Sequence, residues 1–191
     1  MIGHKQIAGG VLLILALLGL SIWSQVVVTY VAVSDAQVTI PAHVQILEVR
    51  IPKLTPEDSQ ATVGVLVGVE NPSAISIIVF SITYAFYMDN LTDTRTFWEK
   101  ERDIFVGTGG FYEGEGGFEV PARSARQIWA NLTVDGDRQP QALERLNTSF
   151  SGRYYPILFA TMLYRFPEMR MVGIVRGLSF STFQGVVPNE D

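Results

Sequence analysis

Residues 62–89 read TVGVLVGVENPSAISIIVFSITYAFYMD. Val63, Val65, Val67 and Val69 alternate with Thr62, Gly64, Leu66, Gly68 and Glu70, the period of two that gives a β-strand one apolar face. Gly64 and Gly68 leave the other face thin, which predicts a close neighbour there or a bend. Asn71-Pro72-Ser73 ends the strand, because proline has no amide hydrogen for a ladder and keeps Asn71 out of the helical region. Residues 75–88 follow as a second strand, β-branched and aromatic on both faces, so a central or doubly covered position is expected. Asp89-Asn90 closes it with a turn.

The chain on either side is also read as strands. In residues 43–51, Val44 and Ile46 share one phase while Leu47, Val49 and Ile51 share the other, which predicts a bulge near Ile46. Residues 97–106 read as a more polar strand, 125–134 as an alternating strand, and 154–166 with 171–183 as a last antiparallel pair. Residues 140–150 carry the one helical pattern, with Leu143, Leu146 and Phe150 on one side and Pro140 in the first turn. Seven or so short strands predict a mainly β fold, an immunoglobulin-like two-sheet antiparallel sandwich with one short helix.

Upstream, residues 7–33 hold no charged side chain, and about twenty apolar residues suffice to cross the ~30 Å hydrocarbon core of a bilayer. The chain divides accordingly into a cytoplasmic tail (1–6), a transmembrane anchor (7–33), a linker (34–42), the sandwich (43–185) and a flexible tail (186–191). Lys5 on one flank and Asp35 on the other place the amino terminus in the cytoplasm and the sandwich outside the membrane; Lys5, Trp23 and Tyr30 are the expected interface residues. A cleaved signal peptide ending at Ala32-Val33-Ser34 is the competing reading, but the apolar run is nearly twice the usual h-region. Neither Gly9, Gly10 and Gly19 nor Ala8 and Ala16 is followed by a small residue four positions on, so the anchor is read as a tether without a dimer seam. Three glycosylation sequons, at Asn90, Asn131 and Asn147, agree with an outside domain, whereas Asn71 is disqualified by Pro72.

The Asn71-Pro72-Ser73 turn between its two strands, Tyr84, the Asp89-Asn90 turn and the later run Phe118-Glu119-Val120-Pro121-Ala122-Arg123-Ser124 together resemble the water-stress and hypersensitive-response domain of the second group of late embryogenesis abundant proteins. The resemblance covers about residues 40–185, with Ser76 standing where many members carry proline. It implies the same sandwich and a role at membranes, on lipids or in stress protection.

Composition narrows the chemistry. Beyond Lys5 the chain carries thirteen basic and nineteen acidic residues, a net charge of −6, which gives no bulk attraction for nucleic acid. Absence of cysteine removes thiol nucleophiles and thiolate metal sites. His43 is the sole histidine outside the tail and has no local triad motif. Six glycines fall in residues 107–117 without Walker or G-x-G-x-x-G spacing; Glu113, Glu115 and Glu119 there would suit calcium better than phosphate, but EF-hand spacing is missing. Glu99 with Glu101 and Glu113 with Glu115 fall at same-face strand spacing and read as solvated charge.

No catalytic residue, cofactor or metal is therefore assigned. The expected function is a membrane-anchored, non-catalytic interaction module of the cell envelope, with an envelope protein or surface polymer as partner. The alternative is a lipid- or apolar-ligand-binding domain whose sheets part around an acyl chain, using aromatics such as Phe97, Trp98, Tyr112 and Trp129. A stress-protective protein without any site is a further reading.

Overall fold

The computed structural model describes residues 4–55, 57–90, 92–112, 117–149, 154–167, 171–180 and 186–189. Helix α1 runs unbroken over His4–Thr39 and passes into a single 3-10 turn at Ile40–His43, where Pro41 stops α-helical bonding. Residues 34–42, expected as a linker, are therefore helical. Nothing between Ser34 and Thr39 breaks a helix, and Val33, Ala36 and Ile40, spaced three and four apart on one face, are fully buried in the same core as the strands. Burying a Val or Ile side chain is worth about 1.5–3 kcal/mol, enough to fix this end of the helix against the domain.

The strands are β1 (Val44–Pro52), β2 (Gln60–Asn71), β3 (Ile77–Asn90), β4 (Phe105–Tyr112), β5 (Phe118–Val120), β6 (Ser124–Asp135), β7 (Tyr154–Phe166), β8 (Met171–Phe180) and β9 (Val186–Asn189), with short helices α2 (Phe97–Ile104) and α3 (Pro140–Ser149). They follow one path, β8-β7-β3-β4-β6-β2-β1-β9, with β5 paired to β3 beyond the end of β4. Between β4 and β6 the ladder shrinks to the single pair Gly110↔Asn131. The sheet curls there into two leaves that face each other, the sandwich expected from the alternating pattern. Pairing is antiparallel except at β9, which adds to β1 in parallel. Residues 186–189, expected as a flexible tail, are thus a strand.

Two bulges explain where the sequence pattern changes phase. In β1 the register shifts between Ile46 and Glu48, so Val44 is buried before it and Val49 and Ile51 after it. In β3 it shifts between Val79 and Ser81, so the inward set passes from Ile77 and Val79 to Ile82, Tyr84, Phe86 and Met88. The two apolar faces of residues 75–88 arise from this switch. Residues 97–104, expected as part of a strand, form α2. The overlooked signal is Thr96-x-x-Glu99: the Glu99 carboxylate accepts the Thr96 amide at 2.7 Å and its hydroxyl at 2.8 Å, completing a capping box.

Tyr84 ties the leaves together. From β3 its hydroxyl reaches the carbonyls of Val63 on β2 (3.3 Å) and Ala130 on β6 (3.4 Å), and burial pushes that hydroxyl well above the ordinary phenol range. Its ring occupies the space that a side chain at Gly109 would need, since a Cβ there would lie 2.6 Å from the Tyr84 ring and from Leu132. The thin face of β2 is filled from outside. Trp129 covers Gly64, Leu47 covers Gly68, and the Arg50 guanidinium stacks 4.3 Å from the centre of the Trp129 ring.

Docking of α1 predicts a contrast between two of its neighbouring side chains. Ile40→Ala should cost about 2–5 kcal/mol of stability in denaturant unfolding of the detergent-solubilised chain, whereas Val38→Ala, at a position 76% exposed, should cost under about 0.5 kcal/mol. Equal costs would show that the helix end is not packed.

Candidate functional site

Strand ends sort the loops into two tiers. The 3-10 turn after α1 lies against β2 and β8, and β1 begins where β2 ends, at the pair Val44↔Val69. The same end holds the β2–β3 corner (72–76), the β5–β6 corner (121–123), the end of β7 and the start of β8, as the pairs Asn71↔Ser124, Ile77↔Val120 and Phe166↔Met171 require. This end is the base. Helices α2 and α3, with Asn90, lie at the opposite end, the crown.

At the base the two segments that carry the family resemblance meet. Asn71 is wholly buried, and its amide donates to the carbonyls of Ile75 (2.8 Å), Val120 (3.1 Å) and Pro121 (3.1 Å). Its Oδ1 accepts the Ser73 amide at 3.2 Å and the Ser73 hydroxyl at 2.6 Å. Arg123, whose φ of 53° places it in the left-handed region, donates its amide to the Ser73 carbonyl at 3.2 Å. The Ser124 hydroxyl donates to Pro121 at 2.7 Å. Every partner here is backbone or a neighbouring side chain of the same corners, so Asn71 acts as a structural clasp; Pro72 beside it is exposed.

An open depression of about 630 Å³ lies beside the lone Gly110↔Asn131 bridge, where β4 and β6 diverge. Thr83, Thr108, Thr133 and Thr161 line it together with Asn131, Tyr112 and Phe159. Tyr112 is 74% exposed, and Phe159 is 42% exposed although it also meets Tyr87 and Phe97 edge-on. This surface is open and mixed, polar groups beside apolar ones, rather than an enclosed channel for an acyl chain. Between the leaves the described core side chains, from Val63 to Val69 on β2 and from Ile82 to Met88 on β3, are packed. Sequence reading did not single out the depression, because Thr83 and Thr161 face each other only through the β3–β7 register.

The crown holds a buried ion pair. The Lys100 ammonium lies 2.7 Å from Asp89 Oδ1, in a close ionic contact rather than an aligned hydrogen bond, and donates to the Asp93 carbonyl at 3.1 Å. Asp89 Oδ2 accepts the Tyr155 hydroxyl at 2.7 Å, which, with the carboxylate's charge and partial burial, pushes the Tyr155 phenol up to about 12. The pair fastens α2 to the end of β3. Around it Tyr87, Phe97, Phe105 and Phe159 form edge-on ring contacts.

The remaining predicted residues do not converge. Asn90 Oδ1 accepts the Thr92 amide (3.0 Å) and hydroxyl (2.8 Å) at the crown, Asn131 is exposed on β6, and Asn147 is exposed on α3. Trp23 and Tyr30 are exposed on α1, seven residues and about 10 Å apart along the axis; Lys5 is within the helix. His43 Nδ1 lies 3.2 Å from Glu70 Oε2 at the surface. Glu101 accepts the Tyr87 hydroxyl at 3.2 Å, so Glu99 and Glu101 sit on a helix with separate partners and do not share a strand face. Glu113 and Glu115 lie outside the described residues. Among the described residues no group of three or more His, Cys, Asp or Glu is placed to hold a metal.

No protein-family model and no curated protein matches the sequence. Solved structures superpose on it loosely. They include a protein from Archaeoglobus fulgidus (16% identity, 68% of this chain and 90% of that one, TM-score 0.40). A protein from Arabidopsis thaliana shares 15% identity over 78% of this chain and 80% of its own, with a TM-score of 0.42. A protein described as a candidate late embryogenesis abundant protein shares 11% identity over 84% and 86%, with a TM-score of 0.31.

Two tests address these clusters. Asn71→Asp places a carboxylate oxygen against carbonyls that now receive hydrogen bonds, so its folded pKa should rise above the unfolded value of about 4. Its stability loss relative to the parent should be small below that value and grow as pH rises toward 7; a pH-independent loss in denaturant titrations would contradict the clasp. For Tyr155, whose folded pKa is raised, the bond to Asp89 contributes stability up to about pH 10 and loses it as pH climbs to about 12. Tyr155→Phe should remove one late-titrating phenol from the ultraviolet titration.

Proposed function

We propose that this chain is a non-catalytic, single-pass membrane module whose sandwich stands outside the cytoplasm and binds a hydroxyl-rich surface polymer or an envelope protein through the threonine-lined depression. The observation that carries the reading is the junction of α1 with the sandwich. Residues 11–31 of the helix are apolar and largely exposed, as lipid contact demands, and the next turns enter the domain core. Anchor and sandwich form one body. The orientation is supported by Lys5 and Asp35 and by the sequons at Asn90 and Asn147, which lie at the crown, away from the depression.

Hydroxyl and amide groups beside exposed rings are suited to polar polymers, where hydrogen bonds give orientation and ring faces cover the apolar sides of sugars. Membership of the water-stress and hypersensitive-response group is part of the proposal. It rests on the turn motifs at residues 71–73 and 118–124, which the fold joins through Asn71.

Photo-crosslinking tests the module. The full chain, with a photoreactive residue in place of Tyr112 and another in place of the exposed Arg138, is expressed in its own membranes. A recurrent adduct from position 112 that is absent from position 138 is the expected result. Equal or absent labelling at both, in a chain that resists alkaline extraction, would overturn the assignment of the depression. Release of the chain by alkaline carbonate would overturn the anchor.

A further inference from the structure

We infer that the base of the sandwich is itself a lipid-contacting surface, seated in the phosphate-bearing headgroup layer of the bilayer that α1 crosses. The inference rests on the anchor reading and adds to it a position and a set of contacts. Its first support is length. The apolar run begins at residue 7, and a hydrocarbon core of about 30 Å takes up about twenty helical residues. Placed at the start of the run, that core ends near Val27; placed against the last exposed apolar residue before Val33, it ends at Val31. Val33, the first helix residue buried in the sandwich, then lies about 3–9 Å beyond the hydrocarbon. Headgroup layers are about 5–8 Å deep on each side, so the domain begins inside or at the edge of that layer.

The second support is the absence of a hinge. Helix α1 has no break between His4 and Thr39, and its end is held by Val33, Ala36 and Ile40 in the core. The domain cannot lift away on a linker. The base that meets the 3-10 turn is therefore the end kept next to the lipid.

Surface chemistry at the base gives the third support. Arg123 and Arg126 are exposed and have no ion-pair partner among the described residues, while Glu70 is occupied by His43 and Glu119 is exposed. Arg123 is held at a left-handed φ on the tip of the β5–β6 corner, a conformation disfavoured for a residue with a side chain. The corner around it exposes small, weakly polar residues, Pro72, Ala74 and Ala125, that can approach a headgroup layer closely. Guanidinium groups pair with phosphate in bidentate fashion, and the exposed carboxylate suits the ammonium of a zwitterionic headgroup. A mixed-sign base fits phospholipid of that kind better than a strongly anionic layer.

The chain has no cysteine, so single labels are simple to place. Full-length Ala74→Cys, Ala125→Cys and Thr94→Cys, each carrying bimane, are reconstituted into phosphatidylcholine vesicles containing a lipid spin-labelled on its headgroup. Strong quenching is expected at positions 74 and 125 and little at 94, which is at the crown. Adding Arg123→Gln and Arg126→Gln should weaken quenching at position 125 by about twofold or more, and the Lys counterparts should retain it, as expected for lost phosphate contacts. Thermal unfolding of each variant checks that the sandwich is intact. Equal quenching at all three sites, with α1 still resistant to alkaline extraction, would overturn the seated base while leaving the anchor standing. Extraction of the chain would instead remove the anchor reading and this inference with it.

Discussion

The architecture depends on one packing interaction, the insertion of Val33, Ala36 and Ile40 into the core of the sandwich. A hydrophobic contact between a long apolar helix and a β domain has consequences for both elements. It makes the sheet part of the environment that keeps residues 34–39 helical, although Ser34, Asp35 and Thr39 have little intrinsic helix preference. The 3-10 turn that continues the helix lies against β2 and β8. Neither element is complete without the other.

A second constraint acts just above this junction. The sheet changes leaf between β2 and β3, and a corner of that kind strands backbone carbonyls that no ladder can satisfy. Asn71 supplies both donors of its amide to three of them and an acceptor to Ser73, so one side chain closes the β2–β3 and β5–β6 corners together. Tyr84 serves a similar end inside the sandwich, where its hydroxyl caps carbonyls of two strands. Polar groups thus fix the leaf geometry, and the valines and phenylalanines fill what that geometry encloses.

Strand alternation, the Asn-Pro corner and the phase change near Ile46 were legible because they are local, and the fold class followed from them. Other features were not. A bulge at Phe80 makes one strand look apolar on both faces, because the side-chain period restarts one residue out of step. α2 read as a strand because Phe97, Trp98 and Phe105 have strong β preference, which outweighs a four-residue capping signal unless that signal is sought. β9 and the helical stretch 34–39 owe their structure to partners distant in sequence, β1 and the core, and no local pattern encodes those. The depression depends on register across β3, β4, β6 and β7. The clasp residue Asn71, by contrast, was visible as a motif, though its role as a bond hub needed the second corner to be placed beside it.

On the membrane-anchored function proposed above, the seven-residue separation of Asn131 from Ser124 along β6 bears on encounters in the plane of the membrane. At about 3.3 Å per residue it places the depression about 23 Å above the base. With an unhinged helix below, that elevation is constant, and so is the compass bearing of the depression relative to the helix faces. A partner approaching from solution can find it from many directions. On that proposal a partner embedded in the same bilayer would engage it only with a surface at that altitude, and neighbours would be sorted by height.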